Sequence, residues 1–121
     1  MKKATRRSRR VKPKEITLFY SNVNGIKSKE ESMKRIIENL GPKVVALCET
    51  KLPSGQAIKK MLPKYQVSFR PIKSGQSGIA IAVKGQTFNS VLDVTSTSNK
   101  NILVTRIVLD TRAIRVILGY I

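Results

Sequence analysis

The chain has 121 residues, which is enough for one modest domain. Its 24 Lys and Arg against 7 Asp and Glu leave a formal net charge of +17, which favours polyanionic partners, nucleic acid before an anionic membrane surface. It has no histidine and a single cysteine, Cys48, so histidine catalysis and an intramolecular disulfide are excluded. No apolar run reaches the roughly 18–20 residues that a membrane span needs, and we expect no membrane partner.

The first 14 residues form a basic tail, in which eight Lys and Arg precede the first acid, Glu15. Segments of this composition are typically disordered when unbound. The tail is compatible with a solvated arm, a nuclear-import signal or a nucleic-acid arm, and we predict nuclear localisation, otherwise cytoplasmic. The predicted nucleic-acid-binding residues are Arg6, Arg7, Arg9, Arg10 and Lys12.

A strand, a helix and a second strand follow the tail. Residues 15–21 alternate as a strand does, and residues 44–48 form an apolar run typical of a strand buried on both faces. Between them, Ser28 and Glu31 form a capping-box pattern, and Gly41 is a typical helix end. One apolar helical face is predicted from Met33, Ile36, Ile37 and Leu40. A parallel strand pair with a right-handed crossover is therefore expected.

The remainder of the chain is predicted to be rich in strands. A short helix is expected at 57–62, and strands at 66–70, 79–83, 90–95, 102–109 and 113–120. Residues 73–78 are predicted to be a hairpin loop rather than a phosphate cradle, because the spacing of a P-loop is missing. Residues 110–112 suit a tight turn. The fold class predicted is α/β, with a mixed sheet and one main helix after the first strand.

Polar side chains follow both strands of the predicted parallel pair. Asn22 and Asn24 come after the first strand, and Glu49 ends the second. Ligands of α/β sheets collect at this carboxyl edge, where amide and carboxylate oxygens suit a hard cation such as Mg²⁺. The alternatives are an ordinary Asn-Gly turn and, for Glu49, an ion pair with Lys51 or a solvated strand end.

Taken together, these segments resemble the endonuclease/exonuclease/phosphatase superfamily. The most similar branch is the apurinic-type endonuclease domain of non-LTR (LINE-type) retrotransposons. The resemblance covers residues 15–121 and rests on ITLFYSNVNG (16–25), VVALCETKL (44–52), SGIAIAV (77–83) and IRVILGY (114–120). The first two motifs are fairly specific as a spaced pair, whereas the last two are weak alone.

The resemblance implies a role for each matching residue. Glu49 matches the metal-binding glutamate, and Asn24 a direct or water-mediated metal ligand. Asn22 matches an asparagine that orients the site, Lys51 lies beside the metal, and Tyr120 matches a tyrosine that contacts the scissile phosphate. The implied cofactor is Mg²⁺ and the implied partner is DNA.

Two catalytic segments of that family, Asp-x-Asn and Ser-Asp-His, have no counterpart in this chain. We therefore expect residues 15–121 to be the N-terminal half of a four-layered α/β sandwich and to be inactive alone. The second sheet layer is expected to be missing, leaving the inner sheet face bare. The expected further partners are the missing C-terminal half and a downstream reverse transcriptase.

Two other classes of protein suit the same residues. Size and charge also fit a small basic nucleic-acid-binding protein, such as a ribosomal protein, although few aromatic residues are present for base stacking. A phosphatase or a lipid phosphodiesterase of the same superfamily is compatible with the motif pair. The separation of Asn24 and Glu49 discriminates the metal site from the simple binder.

Overall fold

Strands dominate the part of the chain that the structure, a computed structural model, describes: residues 15–72, 77–85, 90–95, 101–109 and 112–119. The helices are α1 (Glu30–Leu40) and α2 (Gln56–Met61), and a 3₁₀ turn (Lys27–Lys29) precedes α1. The strands are β1 (Leu18–Asn22), β2 (Val44–Cys48), β3 (Tyr65–Ile72), β4 (Ser77–Lys84), β5 (Ser90–Asp93), β6 (Ile102–Leu109) and β7 (Arg112–Gly119). The basic tail and Tyr120 lie outside the described residues, as do 73–76 and 110–111 of the predicted loop and turn.

The strands form two sheets. The first has the order β1-β2-β4-β3, with β1 and β2 parallel and the other neighbours antiparallel. The second is antiparallel, with the order β5-β6-β7. The prediction of an α/β fold with a mixed sheet, a main helix after the first strand and antiparallel strands later is confirmed. No helix among the described residues is long and apolar enough to cross a membrane.

Strand β2 lies at the centre of the fold because every one of its five side chains is apolar and buried. Val45 and Leu47 point to the helices and pack with the α1 residues Met33 and Ile37. The alternate residues Val44, Ala46 and Cys48 point to the second sheet. The expectation of a strand buried on both faces is confirmed, and Cys48 is a buried free thiol.

Helix α1 begins differently from the predicted capping box. Ser28 lies inside the 3₁₀ turn, and the helix starts after Lys29 with no side-chain cap. The turn arises because Ile26 is buried, and its carbonyl accepts the Lys29 N–H at 2.8 Å. The predicted helix end is confirmed: Gly41 has a left-handed conformation, and its N–H donates to the Ile37 carbonyl.

The second sheet corrects the expectation of a missing layer and a bare inner face. Leu103, Ile107 and Leu118 from this sheet pack onto the inner residues of β2 and β4. Antiparallel strands close in sequence supply this layer, so the described residues already bury most of the inner face of the first sheet. The exposed remainder lies on β1, where Leu18 and Tyr20 are 58% and 55% exposed.

Candidate functional site

The turns that follow β1 and β2 are joined by backbone hydrogen bonds. The Gly25 N–H donates to the Glu49 carbonyl at 2.7 Å, and the Ile26 N–H donates to the Thr50 carbonyl at 3.0 Å. These bonds continue the pairing of the parallel strands past their carboxyl ends. Side chains of the two turns are therefore brought together by backbone pairing rather than by chance contact.

Two side-chain hydrogen bonds cross between these turns. The Asn22 amide Nδ2 donates to the Glu49 carboxylate Oε2 at 2.8 Å. The Lys51 ammonium Nζ donates to the Asn24 amide oxygen Oδ1, also at 2.8 Å. The interpretation of Glu49 as the ion-pair partner of Lys51 is wrong, since Lys51 turns to Asn24 and an amide holds the carboxylate. All four residues lie at one edge of the first sheet.

Three non-glycine residues of these turns have a left-handed backbone. Their φ angles are 47° at Asn24, 55° at Glu49 and 57° at Lys51. Such a conformation costs about 1–2 kcal/mol per residue, and it persists only where the surroundings enforce it. Among the described residues, every non-glycine residue with positive φ belongs to this site. The backbone strain is therefore concentrated at the candidate metal ligands Asn24 and Glu49 and at the adjacent Lys51.

Sequence reasoning missed Thr50, which lies between two of these strained residues. Thr50 is fully buried, and its N–H donates to the Gly78 carbonyl at 3.1 Å. Its hydroxyl has no hydrogen-bond partner among the described residues. A β-carbon on Gly78 would lie 2.5 Å from that hydroxyl. Thr50 and Gly78 thus join the Glu49 turn to the start of β4. Thr50 lies in the motif VVALCETKL and Gly78 in the motif SGIAIAV.

Lys29 is a second residue that sequence reasoning did not single out. Its ammonium donates to the Val23 carbonyl at 2.5 Å and reaches the Asn24 carbonyl at 3.5 Å. The cation therefore holds the first turn from the side of α1. Its position just before the helix gave no motif by which to find it.

Tyr20 lies on the same face of β1 as Asn22, two residues earlier. The neighbouring Cys48 thiol is the main cause that raises the pKa of the Tyr20 hydroxyl, and burial and then the Glu49 carboxylate add to it. The phenol therefore keeps its proton to a higher pH than an isolated tyrosine does.

The donor set at this edge fits a magnesium ion only in part. Mg²⁺ is usually held by one or two carboxylates and several waters. Glu49 supplies one carboxylate, and its Oε2 is oriented by the Asn22 amide as ligands of metals commonly are. No cluster of three His, Cys, Asp or Glu side chains occurs among the described residues. The residues present fit a water-rich site with a single carboxylate, Glu49.

The fold that carries this site matches part of the fold of solved AP endonucleases and of a retrotransposon endonuclease domain. The chain is similar to AP endonuclease LMAP from Leishmania major, with a TM-score of 0.66 and 21% identity, over 86% of this chain and 39% of that one. An AP endonuclease from Archaeoglobus fulgidus matches with a TM-score of 0.63 and 21% identity, over 88% and 41%. The endonuclease domain of TRAS1, a telomere-specific non-LTR retrotransposon, matches with a TM-score of 0.66 and 16% identity, over 86% and 45%.

The match confirms the resemblance at the level of the fold. No family model matches the sequence, and no curated protein matches it. The chain spans about two fifths of the length of the solved nucleases it matches, 39% and 41% for the two AP endonucleases. Four of the predicted site residues lie together in the structure: Asn22 contacts Glu49, and Lys51 contacts Asn24. The roles assigned to these residues, and to Tyr120, stay predictions.

Proposed function

We propose that this chain is the N-terminal part of a Mg²⁺-dependent DNA endonuclease of the non-LTR retrotransposon type. The observation that carries the proposal is the Asn22–Glu49 hydrogen bond at the carboxyl ends of two adjacent parallel strands. It lies in a fold that matches AP endonucleases and the TRAS1 endonuclease domain. The strongly basic composition supports DNA as the substrate.

Each residue of the edge has a separate part in this proposal. Glu49 holds the metal, and the Asn22 amide fixes the orientation of the carboxylate. Lys51, anchored on Asn24, places a positive charge where a phosphate group would approach. When bound, Mg²⁺ supplies polarisation of the phosphate and stabilisation of the leaving oxygen. The basic tail adds salt-dependent affinity for the DNA backbone, and Tyr120 contacts the phosphate.

The chain alone is proposed to be inactive. The chain has no histidine that could activate the attacking water. The matched nucleases are also more than twice as long as the part that matches this chain. The test is nicking of supercoiled plasmid by the purified chain, with Mg²⁺ and with EDTA. Mg²⁺-dependent nicking that Glu49→Ala abolishes would show that the chain is a complete catalyst.

The metal site can be tested without activity. Mn²⁺ titrated into the ¹⁵N-labelled chain is expected to broaden the amide signals of residues 22–25 and 48–51 first, because the ion is paramagnetic. Glu49→Gln should remove this selective broadening. Glu38→Gln is the matched control, since Glu38 is an exposed carboxylate on α1. Broadening that survives Glu49→Gln, or that centres on α1, would refute the metal site.

The alternative is a small basic nucleic-acid-binding protein without catalysis, which the net charge of +17 favours. Salt-sensitive DNA binding does not separate the two proposals, since the basic residues predict it in both. The Mn²⁺ titration does separate them. A simple binder has no reason to place a divalent ion beside Glu49.

A further inference from the structure

A pocket lies at the edge of the first sheet opposite the candidate metal site. It has a volume of about 280 Å³ and is formed by the carboxyl ends of both helices, the start of β3 and the end of β4. The five residues of β2 separate Lys43 at this edge from Glu49 at the other. At about 3.3 Å per residue, the two edges are about 20 Å apart. The pocket is therefore separate from the site proposed above.

The floor of the pocket is apolar. It is lined by Ile37, Met61 and Leu62, all of which are buried. Tyr65 is the aromatic residue of the lining, and the hydrogen bond from its hydroxyl to the Pro42 carbonyl fixes this side chain. The volume lies just below the usual range of small-ligand pockets, roughly 300–1,000 Å³. The pocket therefore admits one flat ring system rather than a large ligand.

Charged side chains complete the lining. Lys64 and Lys84 come from neighbouring strand ends, where the Gly85 N–H donates to the Lys64 carbonyl at 2.8 Å. Neither ammonium forms an ion pair with an acidic residue that the structure describes. Gly41 leaves space beside Lys84, because a β-carbon on the glycine would be 3.8 Å from the ammonium nitrogen. Glu38, which is exposed, is the acidic residue of the lining, so the two lysines leave the pocket with a net positive charge.

Further positive charge lies along the same edge. Lys43 is next to Lys84, whose backbone N–H donates to the Lys43 carbonyl at 2.8 Å. The Lys43 ammonium donates to the Glu15 carbonyl at 2.6 Å, so residues 1–14, with their eight Lys and Arg, join the described chain at this edge. Glu15 adds one opposing charge. A polymer with repeated negative charges can contact the pocket and these basic residues at once, which a small anion cannot.

We propose that this pocket is a second nucleic-acid site, which takes one unstacked base of a single strand while Lys64 and Lys84 hold the adjacent phosphates. Tyr65 and the apolar floor supply the surface for the base, as aromatic side chains do in proteins that bind single strands. A duplex fits less well, because its bases are paired and stacked and cannot enter a pocket. The inference does not depend on the nuclease site, since none of its residues lies at the Glu49 edge.

The probe is a fluorescent oligothymidylate of about eight nucleotides, titrated into the whole chain and followed by anisotropy. The matched control is an abasic strand with the same number of phosphates, which measures attraction between a polyanion and a basic chain. The oligothymidylate should bind about tenfold more tightly than the abasic strand, because only it has a base for the pocket. A hairpin duplex with the same number of phosphates should also bind more weakly than the oligothymidylate.

Two double variants locate the phosphate contacts. Lys64→Gln with Lys84→Gln should weaken oligothymidylate binding about tenfold and lower the slope of log K against log salt by about 1.4, which is about 0.7 per phosphate contact. Lys59→Gln with Lys60→Gln makes the same charge change on exposed positions of α2 and should leave that slope unaltered. Glu38→Gln should strengthen binding about twofold, because it removes the opposing charge of the pocket.

The position of the base is measured by NMR. The oligothymidylate should shift the amide signals of residues 37–41, 61–65 and 84–85 and the ring signals of Tyr65, whereas the abasic strand should leave the ring signals unshifted. Tyr65→Leu should remove the advantage of the oligothymidylate over the abasic strand and leave the salt dependence unaltered. Urea unfolding checks that this variant folds, and the ring signals of the wild-type chain test the same contact without a substitution.

Several outcomes would overturn the proposal. Equal binding of the oligothymidylate and the abasic strand would exclude a base in the pocket. Equal effects of the two double variants, or shifts confined to residues 22–25 and 48–51, would assign the single strand to another part of the chain. Vesicles of phosphatidylserine and phosphatidylcholine supply a further test. Vesicle binding that is tighter than oligothymidylate binding, and that Lys64→Gln with Lys84→Gln abolishes, would assign the pocket to a lipid surface.

Discussion

Gly78 at the start of β4 lies so close to Thr50 that a β-carbon on the glycine would be 2.5 Å from the threonine hydroxyl oxygen. The same β-carbon would lie 3.1 Å from the Phe69 ring. The glycine carbonyl meanwhile accepts the Thr50 N–H at 3.1 Å. The turn that displays Glu49 is therefore held against β4 by a contact that only glycine permits.

Gly78→Ala is expected to lower the free energy of unfolding by about 1–3 kcal/mol, because the added methyl group would overlap the hydroxyl of the fully buried Thr50. Urea unfolding followed by circular dichroism measures the loss. Gly119→Ala is the matched control, since the nearest atom to its added β-carbon is 4.0 Å away. Its effect should stay within about 0.5 kcal/mol. Equal losses in the two variants would contradict the proposed contact.

A double-mutant cycle shows whether Thr50 is the partner. Thr50→Ala removes the hydroxyl that the new methyl group would strike. The double variant Thr50→Ala with Gly78→Ala should lose less stability than the sum of the two single losses, by about 1 kcal/mol. Additive losses would mean that the strain at position 78 arises elsewhere, with Phe69 as the remaining neighbour.

Lys51 has a left-handed backbone, with φ of 57°. Glycine should therefore be tolerated better than alanine at this position, the reverse of the order found in helices. Lys51→Gly should be more stable than Lys51→Ala by about 1 kcal/mol, because only alanine retains the β-carbon penalty. Both variants lose the ammonium bond to Asn24, so that loss cancels in the comparison. At Lys59, exposed on α2, the order should reverse, since glycine weakens helices by about 1 kcal/mol. Thermal unfolding of the four variants measures both differences.

Asn22→Asp replaces the donor to Glu49 with a second carboxylate. We expect a loss of about 1–2 kcal/mol at pH 7, since the two anions repel and the hydrogen bond is lost. Repulsion raises the pKa of the pair in the folded state above that of the unfolded chain. The repulsive part of the loss is therefore absent below the unfolded pKa and appears as the pH rises through the folded pKa.

A divalent ion should reverse the loss in Asn22→Asp. The added carboxylate strengthens the site, so Mn²⁺ is expected to stabilise this variant more than the wild-type chain. Asn39→Asp makes the same charge change on the exposed surface of α1 and serves as the control. The measurement is unfolding of Asn22→Asp and Asn39→Asp with and without Mn²⁺, at pH 4 and at pH 7. A pH-independent loss that Mn²⁺ leaves unchanged would contradict a shared carboxylate site.

Local sequence signals predicted the parts of the fold that local physics controls. The apolar run at 44–48 indicated a strand buried on both faces, and Gly41 indicated the helix end. The placement of Asn22 beside Glu49 followed from the parallel pairing of the strands that they end. The proximity of Asn22 and Glu49 was therefore predictable from spacing, whereas their roles come from the family resemblance and stay predictions.

Tertiary contacts decided the features that sequence reasoning missed. The capping box at Ser28 was wrong because burial of Ile26 imposes a 3₁₀ turn on the residues that follow. The contact of Thr50 with Gly78 joins residues 28 positions apart and carries no local pattern. The left-handed backbone at Glu49 is equally invisible, because nothing in a glutamate predicts positive φ.

Tyr65 gives a prediction about alkaline pH. Its hydroxyl donates to the Pro42 carbonyl at 2.5 Å, and burial raises the pKa of that hydroxyl above its ordinary value of 10.0. The folded chain thus keeps the phenol proton to a higher pH than the unfolded chain does. The stability from this group is fully present below the unfolded pKa, and it is lost as the pH rises through the folded pKa.

Tyr65→Phe is accordingly expected to cost about 1 kcal/mol at pH 8, the usual net value of one hydrogen bond. The difference from the wild-type chain should shrink as the pH rises above the ordinary tyrosine pKa of 10.0, because only the wild-type chain has this phenol to ionise. Chemical unfolding at several pH values measures the difference in the free energy of unfolding. Both chains have the same lysines, so the effect of lysine titration cancels in this difference. Tyr20→Phe is the comparison: that tyrosine is more than half exposed, so solvent screening weakens the same effect. A Tyr65→Phe difference that stays constant across this range would mean that the phenol proton contributes nothing to holding β3 against Pro42.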